Sequence, residues 1–550
     1  MEKIVILDFG SQTTALIGRR IRDLGVYSEI IPGDSDMAAV DLRGVKGLIF
    51  SGSPESVYAN GAKADPSVYT CGLPLLGICY GLQRMTIDQG GEVAPLPTRE
   101  FGPVPVTLTL EEASGEPPEA AAAFFAAFFA AISVPASDSL PPSLFPPTEA
   151  NPDRTFTAWM SHGDTLTRLA PGFVQCGTSG SGYPAIVYHR EKPWFGFQFH
   201  PEATHCEYGN ALLGAFVFGV CGAQGGWSME NYLAELREEI RLKAGNKTVL
   251  LLISGGVDSS VTAALLLKSL PAEAVHLMYV DTGLMRKNET EEVEAALKKL
   301  GAKHLHIIRA EDAFLAALAG KEQPEEKRAI IGDLFITIQE REVARLGLPP
   351  DYLLAQGTLY TDLIESGKGV GNKAHVIKSH HNVASPLVAA LRREGRIIEP
   401  LEKLYKDEAR ALGRLVSLDE TIIGRHPFPG PGLAVRILGA VTKEKCAILR
   451  EADALYIGEL RARGLYDQIW QAFAVLLPVR SVGVAGDERR YGSVLTLRAV
   501  TSADGMTADV FPFPPEDLLE IAALITNTIH DIGRVTYDIS SKPPATIEWE

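Results

Sequence analysis

Short apolar runs alternate with amphipathic stretches along the first 220 residues. Five runs are short and rich in β-branched and aromatic residues, as strands are: residues 4–8 (IVILD), 47–52, 74–78, 185–189 and 195–199. A helical pattern around residues 15–24 follows the first of these runs. Strands that alternate with helices predict an α/β fold, with a mostly parallel sheet covered by helices.

The alternation resumes after a glycine-rich joint at residues 222–228. Residues 248–253 (TVLLLI), 274–280 and 304–310 predict the strands of a second α/β domain. The cluster HPFPGPG at residues 426–432 marks a second boundary, because proline and glycine interrupt regular elements.

A mixed pattern follows this cluster. Residues 481–486, 493–500 and 534–539 predict strands, and residues 515–532 predict one helix with an apolar stripe that ends before Gly533. We therefore predict three domains at residues 1–224, 225–425 and 426–550, of which the last is a small α+β domain.

Residues 111–150 depart from this pattern. They contain no Lys or Arg and consist largely of Ala, Phe, Ser and Pro. We interpret them as a surface insertion with one short apolar helix, outside both active sites, and a helix that docks a partner is the alternative.

The net charge of −16 argues against a broad nucleic-acid surface, which would need a basic face. The six cysteines include no CxxC pair, which favours a reduced cytoplasmic protein without a disulfide framework. No apolar run approaches the roughly 20 residues of a membrane helix, and the N-terminus does not resemble a signal peptide. We therefore expect no membrane partner.

Cys79 lies in the sequence Gly77-Ile78-Cys79-Tyr80-Gly81, between a predicted strand and a predicted helix. The two glycines permit a tight turn that projects the Cys79 side chain at the helix N-terminus, in the manner of a nucleophile elbow. The partial positive charge there favours the thiolate. A buried cysteine that serves only packing is the alternative.

His200 and Glu202 end the sequence FGFQFHPE at residues 195–202. Alternate residues of a strand share a face, so Gln198 and His200 point away from the side on which the phenylalanines pack. A nucleophilic cysteine needs a base, and that base needs an acceptor that orients it. Glu202 can orient the imidazole of His200 in this way.

With these motifs, residues 6–12, 51–57, 77–83, 160–164 and 197–202 resemble the class I glutamine amidotransferases. The resemblance implies that Cys79, His200 and Glu202 form a catalytic triad that hydrolyses glutamine through a thioester. It also implies an oxyanion hole of N–H groups near Ser53 and Tyr80. Ser53 stands where the family usually has glycine, and a positive φ at this position would strain it.

A glycine- and serine-rich loop separates the buried run 248–253 from a helical pattern. This loop can bind phosphates at a helix N-terminus. It consists of Ser254, Gly255, Gly256, Val257, Asp258, Ser259 and Ser260. It lacks the lysine of the Walker A motif. The pattern SGGxDS resembles the ATP pyrophosphatases, which implies ATP as co-substrate and Asp258 as a ligand of Mg²⁺.

Four further segments, at residues 280–289, 356–366, 377–382 and 402–413, resemble the pyrophosphatase domain of the GMP synthetase family. The resemblance implies catalytic or lid roles for Asp362, Glu365, Lys378, Lys406 and Asp407. Thr361 stands where the family commonly has proline.

The C-terminal segments at residues 426–436, 480–500, 507–513 and 540–550 resemble the dimerisation domain of the same family. This resemblance implies a homodimer and an XMP site lined by Arg436, Arg534, Lys542 and Glu548. It also implies synthesis of GMP from XMP, ATP and glutamine.

Two alternatives stay open at this point. An enzyme with the same modules and another acceptor, such as an NAD synthetase, is disfavoured by the tail KPPATIEWE. A catalytically silent sensor of glutamine or nucleotides is disfavoured by the complete Cys79, His200 and Glu202 set.

Overall fold

The structure is a computed structural model that describes residues 1–11, 13–58, 62–109, 118–133, 155–360, 386–485, 488–502 and 507–550. One compact unit ends at Tyr232 and the other begins at Leu233. The predicted boundary between residues 224 and 225 lies close to this division and stays a prediction. Among the described residues, no helix combines the length and apolar character that crossing a bilayer requires.

The first unit is built on one sheet. Its described strands are β1 (Lys3–Asp8), β2 (Tyr27–Pro32), β3 (Val45–Phe50), β4 (Leu75–Ile78), β5 (Glu92–Leu108), β6 (Thr155–Arg168), β7 (Phe173–Ser179), β8 (Pro184–His189) and β9 (Trp194–Phe197). Its helices are α1 (Thr14–Asp23), α2 (Tyr80–Asp88), α3 (Glu119–Ser133) and α4 (Gly209–Gly214), and α5 (Met229–Ala244) crosses the boundary.

The strand order is β2-β1-β3-β4-β9-β8-β7-β5-β6. The pairs from β2 to β9 are parallel, whereas those from β9 to β6 are antiparallel. The prediction of a mostly parallel sheet is thus right only for the half that carries Cys79. The pattern did not reveal β5 because its prolines, which cannot donate ladder hydrogen bonds, are typical of loops.

Both faces of this sheet are buried. Along β1, Ile4 and Ile6 pack into one apolar cluster, while Val5 and Leu7 pack into another on the opposite face. Strands that are covered on both faces need continuous apolar runs, which explains why these segments are readable in the sequence.

Helix α3 belongs to the core of the first unit. Phe124 and Phe128 are 1% and 0% exposed, and the ring of Phe124 stacks on that of Phe195 with centroids 4.8 Å apart. The predicted helix is therefore present, but its interpretation as part of a surface excursion is wrong, because its phenylalanines fill space against β9. The rest of residues 111–150 lies outside the described residues.

We expect Phe124→Ala to destabilise the first unit by about 3–5 kcal/mol, because it leaves a cavity between α3 and β9. The free energy of unfolding, measured by urea denaturation, checks this. Ala122→Ser on the exposed side of α3 is the matched control and should change it little. An unchanged free energy of unfolding in Phe124→Ala would contradict the packing role of the helix.

The second unit contains a parallel sheet with the order β12-β11-β10-β13-β14. Its described strands are β10 (Val249–Ile253), β11 (Val275–Asp281), β12 (His304–Arg309), β13 (Leu353–Ala355) and β14 (Ile397–Ile398). Its helices are α6 (Val257–Ser269), α7 (Glu289–Lys299), α8 (Glu311–Ala317), α9 (Pro324–Leu346), α10 (Pro386–Arg393), α11 (Lys406–Leu415) and α12 (Glu420–Ile423).

The last part of the chain forms a mixed sheet with two helices. The elements are β15 (Gln471–Ala485), β16 (Glu488–Thr501), β17 (Asp509–Val510), β18 (Ile532–Tyr537), α13 (Lys443–Ala462) and α14 (Pro515–Thr528). The predicted order of two α/β regions and a small α+β region is therefore confirmed.

Residues 426–550 share a hydrophobic core with the preceding α/β region. Phe314 and Ile331 pack in the same cluster as Leu433, Leu449 and Ile521. The structure therefore joins the second and third predicted domains into one compact unit, because the two regions bury their apolar faces against each other.

Candidate active site

Cys79 occupies a strained turn between β4 and α2. Its φ of 52° lies in the left-handed region, which is rare for a residue with a side chain. Glycines make the turn possible, because a Cβ on Gly77 would lie 2.7 Å from the backbone of Leu82 and one on Gly81 2.4 Å from the oxygen of Phe50. The turn holds the thiol at the N-cap of helix α2, directly before Tyr80.

His200 and Glu202 follow strand β9 and contact each other. The Nδ1 atom of His200 lies 2.7 Å from Oε1 of Glu202, and the two residues are 7% and 0% exposed. Because a carboxylate oxygen accepts, Nδ1 donates this hydrogen bond. The charges on Glu202 and Cys79 both act on the His200 imidazole, so the structure brings the three predicted residues together.

The electrostatics of Cys79, His200 and Glu202 favour a protonated His200. Burial alone lowers the pKa of the imidazole, but the charges on Glu202 and Cys79 outweigh burial and raise that pKa well above its ordinary value. The imidazolium therefore persists above pH about 6.5, where an unperturbed histidine loses its proton. It can protonate a leaving nitrogen at neutral pH.

We expect Glu202→Gln to lower kcat/KM for glutamine hydrolysis by about 10²- to 10⁴-fold. The alkaline limb of the pH profile should also move to lower pH, because the loss of the Glu202 charge lowers the pKa of His200 and the imidazolium is lost earlier. Glutamate release measured across pH checks both effects. Glu207→Gln, which changes a nearby half-buried carboxylate, is the control. An alkaline limb that stays in place would contradict this electrostatic role.

Two polar groups flank the sulfur of Cys79 and were not singled out from the sequence. The carbonyl oxygen of Ser161 and Nε2 of Gln198 each lie 3.9 Å from Sγ. Gln198 was placed on the correct side of its strand by the alternation of residues. The role of Ser161 depends on a backbone carbonyl, which no side-chain pattern reveals.

The predicted strain at Ser53 is absent. Among the described residues, the non-glycine residues with positive φ are Cys79, Tyr208, Asn288 and Ser417. Ser53 therefore has an ordinary φ, and its substitution for the usual glycine costs no backbone strain.

The loop from Ser254 to Ser260 is tightly hydrogen bonded between β10 and α6. The hydroxyl of Ser259 lies 3.1 Å from that of Ser254 and 3.1 Å from the carbonyl oxygen of Gly256, and Ser260 donates to the same oxygen at 2.9 Å. These bonds fix the loop around the first turn of α6. The first N–H groups of a helix point along its axis and suit an anion.

Asp258 lies in this first turn, and Oδ2 of its side chain is 3.6 Å from Nζ of Lys406. The structure therefore brings together two of the predicted nucleotide-site residues. A carboxylate beside hydroxyls is a hard oxygen donor set, which fits Mg²⁺. No group of three or more His, Cys, Asp or Glu side chains in the described residues could hold a metal ion. An ion at Asp258 would thus depend on phosphate oxygens as well.

Two residues that support the loop were not predicted. A Cβ on Gly357 would lie 3.0 Å from the backbone of Asp258 and Ser259, so only glycine fits there without displacement. Arg425 is 8% exposed. Its Nη1 donates to the carbonyl of Gly255 at 3.5 Å and lies 3.7 Å from Glu289. Gly357 thus allows close packing against the loop, and Arg425 hydrogen bonds to it.

Arg436 and Glu548 face one another in the second unit. Two hydrogen bonds of 2.8 and 3.1 Å join them, and Gln471 donates to Glu548 at 2.6 Å. The guanidinium of Arg436 also stacks over the ring of Phe473. Arg436 is completely buried, so its predicted contact with a substrate needs correction: in this structure its side chain holds Glu548 and is closed to solvent.

The remaining predicted residues differ in placement. Arg534 lies exposed on β18, and Lys542 is half-buried in the tail, where its backbone pairs with Ala508. Asp362, Glu365 and Lys378 lie outside the described residues, as does Thr361.

Three family models match successive parts of the chain. Residues 5–220 match glutamine amidotransferase class-I, residues 236–321 match asparagine synthase, and residues 458–549 match the GMP synthase C terminal domain. The matches follow the order of the predicted glutaminase, nucleotide and C-terminal regions.

Similar curated proteins extend over the full chain. The GMP synthase [glutamine-hydrolyzing] of Chlorobium chlorochromatii is 45% identical, with 100% of both chains covered. The enzymes of the same name from Zymomonas mobilis and Aquifex aeolicus are 45% and 44% identical, and cover 100% of this chain and 98% and 99% of their own.

Proposed function

Because this chain belongs to the family of glutamine-hydrolysing GMP synthases, we propose a division of labour among its residues. The enzyme is a ligase that makes GMP with glutamine as nitrogen donor. Residues 1–224 hydrolyse glutamine, residues 225–425 activate XMP with ATP, and residues 426–550 complete the XMP site. The observation that carries the first assignment is the 2.7 Å contact between Glu202 and His200, whose imidazole also feels the charge of Cys79 at its strained turn.

Glutamine hydrolysis proceeds at Cys79. The thiolate forms a bond to the carboxamide carbon of glutamine, and the C–N bond of the tetrahedral intermediate then breaks. His200 protonates the leaving nitrogen, so that ammonia and a thioester form. Water activated by the neutral His200 hydrolyses the thioester and releases glutamate. The N–H groups of Ser53 and Tyr80 stabilise the oxyanion.

ATP binds at the loop from Ser254 to Ser260. The N–H groups and hydroxyls of the loop hold the phosphates, and Lys406 adds a positive charge beside Asp258. Asp258, together with phosphate oxygens, would hold Mg²⁺, which would neutralise phosphate charge. The C2 oxygen of XMP attacks the α-phosphorus, and pyrophosphate leaves. Ammonia then adds to C2 and AMP leaves, which yields GMP.

XMP binds beside the C-terminal tail. Lys542 meets its phosphate as a point charge, and Glu548 accepts hydrogen bonds from purine or ribose donors. Arg436 orients Glu548 from behind, as its two buried hydrogen bonds support. Arg534, Asp362, Glu365 and Lys378 stay candidates for substrate contacts.

The enzyme acts in the cytoplasm as a homodimer joined through its C-terminal region. Apolar side chains that are exposed on β15 and β16 support a dimer interface in this region. They are Val479, Val482, Val484 and Tyr491, which are 51%, 48%, 77% and 56% exposed.

An assay for GMP formation that depends on XMP, ATP and glutamine tests the overall activity. Product formed from another acceptor would favour an NAD synthetase-like reaction, and binding without turnover would favour a sensor. Omission of each substrate in turn is the control.

We expect Lys542→Leu to raise the XMP concentration required for half-maximal rate by 10-fold or more, since a charge-assisted contact is worth about 1.5–3 kcal/mol. XMP titration at saturating ATP and ammonium measures this. Glutamate release at Cys79 should not change. An unaltered apparent affinity for XMP would remove Lys542 from the substrate site.

A further inference from the structure

A buried pair of ionisable side chains in the first unit has no part in the reaction described above. Glu100 on β5 and His162 on β6 are directly opposite in the ladder. Their Oε2 and Nε2 atoms lie 3.0 Å apart, and each residue is 5% exposed. Such groups are costly to bury unless they are paired, so their presence here needs an explanation.

The hydrogen bonds around the pair define its proton content. Nδ1 of His162 lies 2.9 Å from the carbonyl oxygen of Asp164. A carbonyl only accepts, so Nδ1 carries a proton. Oε1 of Glu100 accepts from the hydroxyl of Ser179 at 2.9 Å. Nε2 and Oε2 are not in hydrogen-bond geometry, but at 3.0 Å one of the two atoms must carry a proton, because two lone pairs would repel. The pair therefore has no net charge and adds no repulsion to the nearby His200.

The pair anchors a segment that borders the nucleophile. His162 lies between Ser161, whose carbonyl oxygen is 3.9 Å from Sγ of Cys79, and Asp164, whose carbonyl it holds. The His162 ring is held between Oε2 of Glu100 and the carbonyl of Asp164. This restrains the backbone on both sides of His162 and thereby the direction of the Ser161 carbonyl.

The same segment reaches the other side of the sulfur. The carbonyl of Asp164 accepts from Nε2 of Gln83 at 2.8 Å. Gln83 also contacts Oε1 of Gln198 at 3.4 Å, and Nε2 of Gln198 is 3.9 Å from Sγ. Displacement of the segment would thus move polar groups on both sides of Cys79.

We propose that Glu100 and His162 are positioning residues for the glutaminase reaction. They hold the Ser161 carbonyl where it accepts a hydrogen bond from the carboxamide nitrogen of glutamine. In an attack geometry the carboxamide carbon lies about 3–3.5 Å from the sulfur, so a carbonyl 3.9 Å from that sulfur is within reach of the nitrogen. The proposal rests on the proposed role of Cys79 as nucleophile.

The test compares Glu100→Ala, Glu100→Gln and the control Glu92→Gln, each in the full chain. Glu92 is an exposed glutamate on the same strand. For each variant, KM and kcat for glutamate release are measured with the rate of Cys79 alkylation by iodoacetamide. We expect Glu100→Ala to lower kcat/KM for glutamine by about 10²-fold, as a misplacement of 1 Å does. KM should rise and alkylation should continue at the wild-type rate. Glu100→Gln should retain more activity, because its amide can donate to Nε2, and Glu92→Gln should change little.

Several outcomes would overturn the proposal. Wild-type KM and kcat in Glu100→Ala would overturn it. A fall in the alkylation rate that matches the fall in kcat/KM would also overturn it, because the substitution would then act on the reactivity of the Cys79 thiol. If Glu100→Ala does not fold, Glu100→Met decides, because it keeps the length of the side chain and removes the polar group that faces His162: wild-type KM and kcat for glutamine then exclude a positioning role. Cys79→Ala separates the two claims, because glutamine-dependent synthesis in that variant would remove the nucleophile assignment itself.

Discussion

Replacement of Cys79 with alanine should abolish GMP formation from glutamine and leave GMP formation from ammonium intact. The thiolate is required only for cleavage of the glutamine carboxamide, and loss of such a nucleophile costs on the order of 10⁶-fold in rate. Ammonium bypasses this step because it supplies directly the ammonia that attacks the activated purine. GMP formation measured with each nitrogen donor, at saturating XMP and ATP, checks the prediction.

The matched control for this experiment is Cys71→Ala. Cys71 is a partly exposed cysteine of the same unit that donates only to the carbonyl of Val68. Its replacement should preserve both activities. A Cys79→Ala protein that is folded but makes no GMP from ammonium would show that the two reactions are not divided as we propose.

Replacement of Asp258 with asparagine should remove XMP adenylation. The substitution keeps the size of the side chain and removes its charge from the first turn of α6, beside Lys406. Loss of an anionic ligand for the phosphate-bound cation costs several kcal/mol of transition-state stabilisation, which is about 10³-fold in rate. Pyrophosphate release from ATP in the presence of XMP and ammonium measures the step.

Asp312→Asn is the matched control, because Asp312 is also in the first turn of a helix, α8, but is exposed. Asp312→Asn should release pyrophosphate at the wild-type rate. Asp258→Asn should release glutamate at the wild-type rate, because glutamine hydrolysis does not use this carboxylate. If Asp258→Asn itself releases pyrophosphate at the wild-type rate, the proposed role of this carboxylate is wrong.

The sequence predicted the family, the overall reaction and the order of the regions, and the similar full-length proteins confirm these. Buried parallel strands and the turns after them have local signatures. The runs before Cys79 and Ser254 are buried strands, which need continuous apolar runs. Gly77 and Gly81 beside Cys79 are required by close backbone contacts. Such features depend on neighbours in sequence, and sequence patterns therefore reveal them.

Contacts between residues far apart in the chain were decided only by the tertiary structure. It packs Phe124 of the supposed surface insertion against β9, and it buries Arg436 against Glu548, which lies 112 residues away. It also places Glu100 opposite His162 across a strand pair whose prolines concealed one strand. Burial and pairing depend on what the fold brings together, and no local pattern of residue types specifies that.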